Sequence, residues 1–392
     1  MNAKCEPVSR EPQREPVSRM LRLGKDTAMD LKDSREAIRE IDKKMAELFV
    51  ARMRAVRDVA AYKRERGLPI EDKEQEARVI QNCGALVEDD ELRSFYLQFL
   101  QDTMDVSKRW QHRLMNGMRV AYSGVEGAFA HIAARQLFPD GEHVAYLSFE
   151  EAYESVVSGA CDVVVLPIEN SQAGEVGQVL DLMYDGPLFA NDVYDASIVQ
   201  NLLGTSEATL EDVTTVISHP QALSQCRSYL RRKGFELQSV DNTALAAKRV
   251  AELGDAHIAA VASEETAALY GLKVLDHDIN ESKANTTRFA VFSRVENTVA
   301  AKAGTSEFML LFTVKDEAGG LAKAVNVIGA YGFNMRVLRS RPVRNLPWHY
   351  YFYVEAEGDD TSENGRRMIG ALQGVCPLVK VVGRYATSGA AR

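Results

Sequence analysis

The chain has 392 residues, 46% of them hydrophobic and 26% charged, an ordinary composition for a globular protein of two to four domains. Its formal net charge is −9 and it has no long basic run, which argues against a nucleic-acid binder. It also lacks a run of about 18 apolar residues and the apolar core of a signal peptide, so we expect a cytoplasmic protein.

The cysteines predict neither a disulfide framework nor a zinc site. There are five, they lie far apart, and no Cys-x-x-Cys pair occurs. This usage fits a reducing cytosol. Because the sequence contains no metal-binding or cofactor motif, we expect a protein that needs no metal and no cofactor.

Composition changes along the chain define the expected regions. Residues 1–28 are rich in Arg, Glu and Pro and predict a disordered tail, because a transit peptide would be poor in acidic residues. Residues 29–115 show helical periodicity, and residues 118–296 alternate β-rich runs with amphipathic stretches, the α/β pattern. A linker-like run at 297–306 leads into a βαββαβ pattern at 306–385.

The helical region predicts three helices, near 29–66, 71–86 and 88–115. The first has an apolar stripe at the spacing that faces a partner helix. Its members are Ile38, Ile41, Met45, Leu48, Phe49, Val56 and Val59.

Three cations, Arg35, Arg52 and Lys63, lie on or beside this stripe. Arg52 and Lys63 are about three turns apart, so they point nearly the same way. A buried cation without a partner is costly. Snorkelling, or pairing with a carboxylate such as Glu76, would explain one cation. Three on one stripe favour a buried anion-binding site.

Polar pairs at i,i+4 accompany the cations on the next two predicted helices: Asp72 with Glu76, and Ser107 with Gln111. A solvated helix face would explain each pair alone. Together with the cations they provide partners for carboxylates, for a hydroxyl and for an ether oxygen.

This region resembles the all-helical chorismate mutases over almost its whole length. The matching landmarks are Ser34-Arg-Glu-x-Ile-x-x-Ile-Asp42, Arg52, Lys63, Asp72 with Glu76, and Ser107-Lys-Arg-Trp-Gln111. The resemblance implies an intertwined helical dimer in which Arg35 reaches the site of the other subunit. The reaction is a pericyclic rearrangement, which needs a compact substrate conformer and charge stabilisation but no nucleophile.

The resemblance also implies roles for the polar residues. Arg35 and Arg52 hold the substrate carboxylates with help from Ser107, while Asp72 belongs to the same binding set. Lys63 and Gln111 reach the ether oxygen, and Glu76 contacts the ring hydroxyl. Gln75 stands where the family often has Arg, which predicts retained but weaker activity.

The α/β region has four polar loops at predicted strand ends, where α/β domains usually bind ligands. They are Gly124-Val-Glu-Gly127, Pro167-Ile-Glu-Asn-Ser171, Ser218-His-Pro-Gln221 and Asn285-Thr-Thr-Arg-Phe289. A glycine turn that opens a helix can bind an anion. Ordinary turn chemistry would explain any one loop. For His219, which precedes Pro220, a structural role and a substrate-binding role both fit the sequence.

In this order the four loops closely resemble prephenate dehydratase, which implies two α/β lobes with the site in the cleft between them. By this resemblance Thr287 donates to the leaving hydroxyl of prephenate and Arg288 helps with charge. The implied substrate-binding set is Asn170, Ser171, Ser218, His219 and Gln221. The family commonly has Ser where this chain has Ala128 and Ala130, so only the backbone of Gly124 and Gly127 is assigned in the first loop.

The βαββαβ region resembles the ACT regulatory domain, which in this family binds phenylalanine at a subunit interface. Gly319-Gly-Leu321 and Ser340-Arg-Pro342 match its two effector motifs. The implied effector set is Gly320, Leu321, Ser340, Arg341 and Pro342. Arg339 replaces the usual Glu, which could weaken or alter feedback. The alternative is a domain that only dimerises.

The sequence thus predicts a multidomain enzyme: an all-α chorismate mutase domain, a two-lobed α/β dehydratase domain and an α+β ACT domain. Chorismate and prephenate are the expected substrates and phenylalanine the expected effector, in a homodimer or homotetramer with no nucleic-acid or membrane partner. Alternatives are a dehydratase with a silent helical domain, a preference for arogenate over prephenate, and a non-catalytic amino-acid sensor. The intact sets around Lys63 and Thr287 argue against the sensor.

Overall fold

The computed structural model describes residues 31–296, 306–344 and 346–386. The predicted tail 1–28 and most of the predicted linker 297–306 lie outside the described residues. The chain divides into two compact units, Met1–Val59 and Ala60–Arg392. Within the described residues, no helix is both long enough and apolar enough to cross a membrane.

The three predicted helices are confirmed as α1 (Leu31–Glu65), α2 (Lys73–Gly84) and α3 (Asp90–Asn116). Asp72 precedes α2 and accepts a hydrogen bond from the Gln75 amide at 3.0 Å. Such N-caps satisfy amides that have no partner within the helix.

The predicted apolar stripe of α1 is exposed in the single chain. Ile38 is 56%, Ile41 55% and Leu48 70% exposed. Water contact on this many large apolar side chains is unfavourable, and an exposed patch of this kind marks an interaction surface.

The first α/β lobe is a mixed sheet with its core strands in the order β5-β11-β3-β1-β2. The strands are β1 (Arg119–Ser123), β2 (Glu142–Tyr146), β3 (Val163–Asn170), β5 (Phe189–Ser197) and β11 (Thr286–Ser293), with the short β4 (Gly174–Glu175) beside β3. The helices are α4 (Phe129–Leu137), α5 (Phe149–Val157) and α6 (Gly177–Asp185). Strand β11 is antiparallel to both of its neighbours.

The second lobe has a separate five-stranded sheet, in the order β10-β6-β9-β7-β8. Its strands are β6 (Asn201–Gly204), β7 (Thr215–Ser218), β8 (Glu236–Ser239), β9 (Ile258–Ala262) and β10 (Lys273–Asp276). Its helices are α7 (Pro220–Gln225), α8 (Arg227–Lys233), α9 (Thr243–Leu253) and α10 (Glu264–Tyr270). The chain enters this lobe after β5 and leaves it before β11, so two connections join the lobes.

The C-terminal region has the predicted βαββαβ order. Its elements are β12 (Ser306–Thr313), α11 (Gly320–Ala330), β13 (Met335–Pro342), β14 (Tyr350–Glu357), α12 (Glu363–Val375) and β15 (Leu378–Ala386). Helices α11 and α12 cover one face of this sheet. The other face packs on the first lobe, where Met309, Leu311 and Tyr353 share a core with Leu166 and Leu180.

One contact joins the sheet of the C-terminal region to the sheet of the first lobe. Strand β15 pairs with β5 in parallel at Gly383 and Ala190, which produces a ten-stranded sheet. A Cβ atom at Gly383 would lie 2.2 Å from the Ala190 carbonyl oxygen. The close approach of the strands therefore requires glycine at this position.

Candidate active sites

A cleft of about 380 Å³ lies between the two α/β lobes. All four polar segments predicted from the sequence contribute to its lining, through Gly124, Asn170, His219 with Gln221, and Thr287. The first three lie at the C-terminal ends of β1, β3 and β7. Thr287 lies at the start of β11, which reaches the same edge because it is antiparallel to β3.

Asn170 and Thr287 are cross-strand partners on β3 and β11. The Asn170 side-chain amide donates to Thr287 Oγ1 at 2.9 Å and to Asn285 Oδ1 at 3.0 Å. Its carbonyl oxygen accepts from the backbone amides of Gln172 and Ala173. Because those two bonds fix which end of the amide is the oxygen, the NH2 group must face Thr287.

This arrangement orients the threonine hydroxyl. Oγ1 of Thr287 already accepts a hydrogen bond from Asn170, and a hydroxyl has one proton to donate. Thr287 also lines the cleft. Its proton is therefore not used in the bond to Asn170 and is available for a ligand in the cleft.

The glycine turn of the first lobe is held from both sides. Gly127 N–H donates to His131 Nδ1 at 3.0 Å, and Thr266 of α10 donates to the Gly127 carbonyl at 2.9 Å. Burial lowers the pKa of His131, which keeps the ring neutral and able to accept. A Cβ at Gly127 would lie 3.1 Å from the Leu269 side chain, so glycine allows this close contact between the lobes.

His219 and Gln221 start α7. The Nδ1 atom of His219 accepts from the Gln221 amide at 3.2 Å, and Pro220 occupies the first helical turn, where its missing N–H costs nothing. His219 is thus a helix cap, as ordinary turn chemistry predicts, and it lines the cleft as well.

Two predicted cleft residues are not brought to the cleft. Ser218 is fully buried, and its hydroxyl donates to the Val261 carbonyl of the neighbouring strand at 2.6 Å. The Ser171 hydroxyl donates to the Ala284 carbonyl at 3.0 Å and accepts from the Thr286 amide. Both hydroxyls hold the loops in place rather than facing a ligand.

The prediction that Arg288 acts in the cleft is corrected by the structure. Side chains alternate along a strand, so Thr287 and Phe289 face the cleft while Arg288 points to the opposite face of the sheet. There its guanidinium makes two bonds to Glu355 of β14, at 3.0 and 2.9 Å. Burial opposes the charge, but the adjacent carboxylate raises the Arg288 pKa above its ordinary value.

Several cleft residues escaped the sequence interpretation. Gln225, Asp241, Asn242 and Thr243 line the cleft from the second lobe. The available signal was the Asn-Thr step before the alanine-rich α9, because Asn242 caps that helix by accepting from the Ala244 amide. Asn285, which anchors Asn170, was noted only as part of a motif.

The unit Ala60–Arg392 contains the second group of predicted site residues. Ser107 and Gln111 are buried on one face of α3, and Glu76 of α2 pairs with Lys108 at 3.2 Å. The Lys63 ammonium donates to the Ile70 carbonyl at 2.6 Å. Glu76 and Lys108 thus join α2 to α3, while the Lys63 ammonium is bound to the backbone that follows α1.

Asp72 is not a residue within α2, as the i,i+4 prediction assumed. It lies before the helix, and its carboxylate caps the helix by accepting from the Gln75 amide. In the unit Met1–Val59, Arg35 is exposed and Arg52 is half-buried on α1.

The predicted effector residues lie on α11 and β13. Gly319 adopts φ +81° and caps α11, where Gly320 and Leu321 begin the helix. Ser340 and Pro342 are exposed. The Arg341 side chain lies on the other face of β13, bound to Asp181 at 3.0 and 3.1 Å, so it does not accompany them.

Comparisons with known proteins agree with this geometry. The family model for prephenate dehydratase matches residues 120–297, and that for chorismate mutase type II matches residues 34–112. A bifunctional chorismate mutase/prephenate dehydratase of Enterobacter agglomerans is 29% identical over 370 residues, 90% of this chain and 94% of the relative. A chloroplastic arogenate dehydratase/prephenate dehydratase 2 of Arabidopsis thaliana is 34% identical over 279 residues, 68% of this chain and 72% of the relative.

Solved structures give the same fold. A prephenate dehydratase from Arthrobacter aurescens in complex with L-Phe matches with TM-score 0.62 and 26% identity, over 68% of this chain and 89% of that chain. A protein described as a quorum quenching acylase, GqqA, matches with TM-score 0.64 and 29% identity, over 69% of this chain and 98% of that chain.

The chain therefore belongs to the prephenate dehydratase family. A chorismate mutase segment precedes the dehydratase segment, in the same order as in the Enterobacter relative. The protein is a bifunctional chorismate mutase and prephenate dehydratase of phenylalanine biosynthesis.

Proposed function

We propose that Thr287 is the hydrogen-bond or proton donor to the leaving hydroxyl of prephenate in the cleft between the lobes. The Asn170–Thr287 hydrogen bond carries this proposal. Thr287 Oγ1 accepts in that bond, so its own proton remains available for a ligand. As the C–O bond breaks, the hydroxyl takes up one proton through Thr287 and leaves as water, and a proton from solvent restores the Thr287 hydroxyl. The electrons of the carboxylate's C–C bond complete the aromatic ring, and CO2 departs.

The other cleft residues bind and orient the substrate. Asn170 positions the threonine, while His219 and Gln221 contribute polar groups from the second lobe. Gly124 contributes backbone at the turn that opens α4. Closing a dianionic substrate between two lobes fixes its reacting bonds relative to Thr287, which lowers the entropic part of the barrier.

Prephenate, rather than arogenate, is the proposed substrate of the cleft, because the mutase segment of the same chain produces prephenate. Arogenate has an ammonium where prephenate has a keto oxygen, so a cleft that suits one leaves polar groups mismatched with the other. We expect kcat/KM for prephenate to exceed that for arogenate by about tenfold or more. Assays of the full chain with each substrate test this, and an equal or higher value for arogenate would contradict it.

For the mutase site, we propose the roles implied by the family motifs. Arg35 and Arg52 bind the chorismate carboxylates with Ser107, Lys63 and Gln111 stabilise the ether oxygen, and Glu76 binds the ring hydroxyl. Burial of Ser107 and Gln111 on one helix face supports a site that excludes water. The exposed apolar stripe of α1 supports a helical dimer in which Arg35 comes from the second copy.

We also propose three domains after the tail: residues 29–115 for the mutase, 118–296 for the dehydratase and 306–385 for an ACT domain that senses phenylalanine. The βαββαβ order supports the last assignment. So do the left-handed Gly319 before α11 and the exposed Ser340 and Pro342. The L-Phe complex of the Arthrobacter relative supports the ligand.

Phenylalanine should raise the unfolding temperature of the full chain, because a ligand that binds only the folded state stabilises it. At a hundred times its dissociation constant the gain is about 2.7 kcal/mol. Differential scanning fluorimetry with L-phenylalanine measures this, and D-phenylalanine serves as the control. An unchanged unfolding temperature at millimolar L-phenylalanine would leave a C-terminal domain that only associates.

A further inference from the structure

Residues of the C-terminal domain contact β3 and β11 on the face of the sheet that points away from the cleft. Asn170 pairs with Thr287 across β3 and β11, and the next pair in register is Glu169 with Arg288. Because neighbouring residues of a strand face opposite sides, Glu169 and Arg288 lie directly behind the cleft pair.

Arg288 is bound by a buried carboxylate of the C-terminal domain. Glu355 of β14 is 2% exposed and receives both bonds from one guanidinium nitrogen of Arg288. Tyr353 donates its hydroxyl to one oxygen of the same carboxylate at 2.6 Å. The Tyr385 hydroxyl lies 2.8 Å from the other oxygen and 2.6 Å from Glu307, so its one proton is shared between two carboxylates. Both oxygens of Glu355 are thus held by groups within hydrogen-bond distance, as a buried ion pair requires.

Glu169 is bound by a cation on β13, the edge strand of the C-terminal domain. Arg339 of β13 donates to Glu169 at 2.8 Å and lies 3.5 Å from Glu175. This explains why Arg is compatible with position 339, where the family usually has Glu: the side chain faces two dehydratase carboxylates rather than the exposed side of β13, on which Ser340 lies. The Arg288–Glu355 and Arg339–Glu169 pairs together hold both strands that carry Asn170 and Thr287, on the face away from the cleft.

We propose that Glu355 and Arg339 are positioning residues of the dehydratase, supplied by the C-terminal domain. They act through Arg288 and Glu169 and set the register in which Asn170 binds Thr287. The proposal rests on the role of Thr287 proposed above. It assigns the C-terminal domain a part in the catalytic geometry itself, in the absence of any effector.

The test compares Glu355→Gln and Arg339→Met in the full chain. Glu355→Gln keeps the size of the side chain and Arg339→Met keeps an aliphatic stem, and each removes the charge that binds Arg288 or Glu169. We expect dehydratase kcat to fall by about tenfold or more in each, because small misplacements of reacting groups carry large rate costs. The KM for prephenate should stay within about twofold, and the mutase rate should be unchanged and report that the chain is folded.

Asp360→Asn is the matched control. Asp360 is a buried acid of the same domain, and it binds Arg384 at 2.5 and 2.6 Å without contact to β3 or β11. It should lower the unfolding temperature while leaving dehydratase kcat within about twofold of the unaltered chain. If Asp360→Asn reduced kcat as much as Glu355→Gln, general loosening of the domain would explain the effect and the proposal would be overturned.

Thr287→Val, assayed alongside, separates the two proposals. If it is inactive while Glu355→Gln and Arg339→Met both retain full kcat, the positioning role is wrong and the role of Thr287 stands. If Thr287→Val retains activity, the assignment of Thr287 fails first. Should Glu355→Gln aggregate, Arg339→Met decides, because its side chain is 40% exposed and its loss leaves no buried charge behind.

Discussion

Thr287→Val should reduce the dehydratase rate by roughly 10²–10⁴-fold, the usual contribution of a positioned proton donor. Valine has nearly the same shape as threonine and a comparable preference for strands, so β11 should remain intact. The variant loses the hydroxyl that Asn170 orients toward the cleft. Steady-state rates with prephenate measure the effect.

Two controls make the Thr287 result specific. Thr286→Val changes the same residue type one position earlier, where the side chain does not line the cleft, and should keep dehydratase activity within about threefold. The mutase rate of Thr287→Val should equal that of the unaltered chain. Loss of both activities in a folded Thr287→Val protein would contradict separate sites.

Lys63→Met should reduce the mutase rate by roughly 10²–10³-fold, because it removes a cation proposed to stabilise charge on the breaking ether bond. Methionine keeps the length and apolar character of the lysine stem. The dehydratase rate with prephenate should not change. Lys43→Met is the matched control on the same helix, since Lys43 is 69% exposed in its pair with Glu40, and it should retain full mutase activity.

A mixed dimer tests the proposed sharing of the mutase site between subunits. Arg35→Ala chains and Lys63→Met chains should each be inactive as mutases. Co-expressed, they form three dimer types, the two inactive homodimers and a mixed dimer in which one site carries both changes and the other carries neither. That dimer should regain about half of the normal mutase rate per dimer, on the proposed arrangement of an intertwined pair. Two inactive proteins that stay inactive together would show that each chain supplies its own Arg35.

The sequence was most informative where function depends on local chemistry. Asn170 and His219, at the C-terminal ends of β3 and β7, lie in one cleft, as expected for polar residues at strand ends in an α/β domain. Thr287 joins them from the start of β11, which is antiparallel to β3. The end of α1 at Glu65 was also predictable, from Gly67 and Pro69. Motif resemblance carried the rest of the site, but it does not say which way a side chain points.

Residues whose partners come from distant parts of the chain were the ones misplaced. Ser218 is tied to β9 by a bond spanning 43 residues, and Arg288 reaches Glu355, 67 residues further on. Nothing local in either motif specifies those partners. Side-chain alternation along β11 alone would have placed Arg288 on the face of the sheet away from Thr287. Only the three-dimensional structure shows that Glu355 lies on that face.

The joining of the first-lobe sheet to the C-terminal sheet could not be predicted from local patterns either. In the sequence Gly383 is an ordinary strand glycine, and only the structure shows that it must be small to approach Ala190. Likewise, Arg339 was interpreted as a changed effector contact, whereas its side chain pairs with Glu169 of the dehydratase. Long-range pairing decided each case.

A time course of the purified protein with chorismate and no added cofactor tests whether one chain carries both activities. Chorismate loss and phenylpyruvate formation are followed together. We expect chorismate to disappear and phenylpyruvate to accumulate. Chorismate left untouched by a protein that still converts added prephenate would contradict this expectation and leave a dehydratase with a silent helical domain.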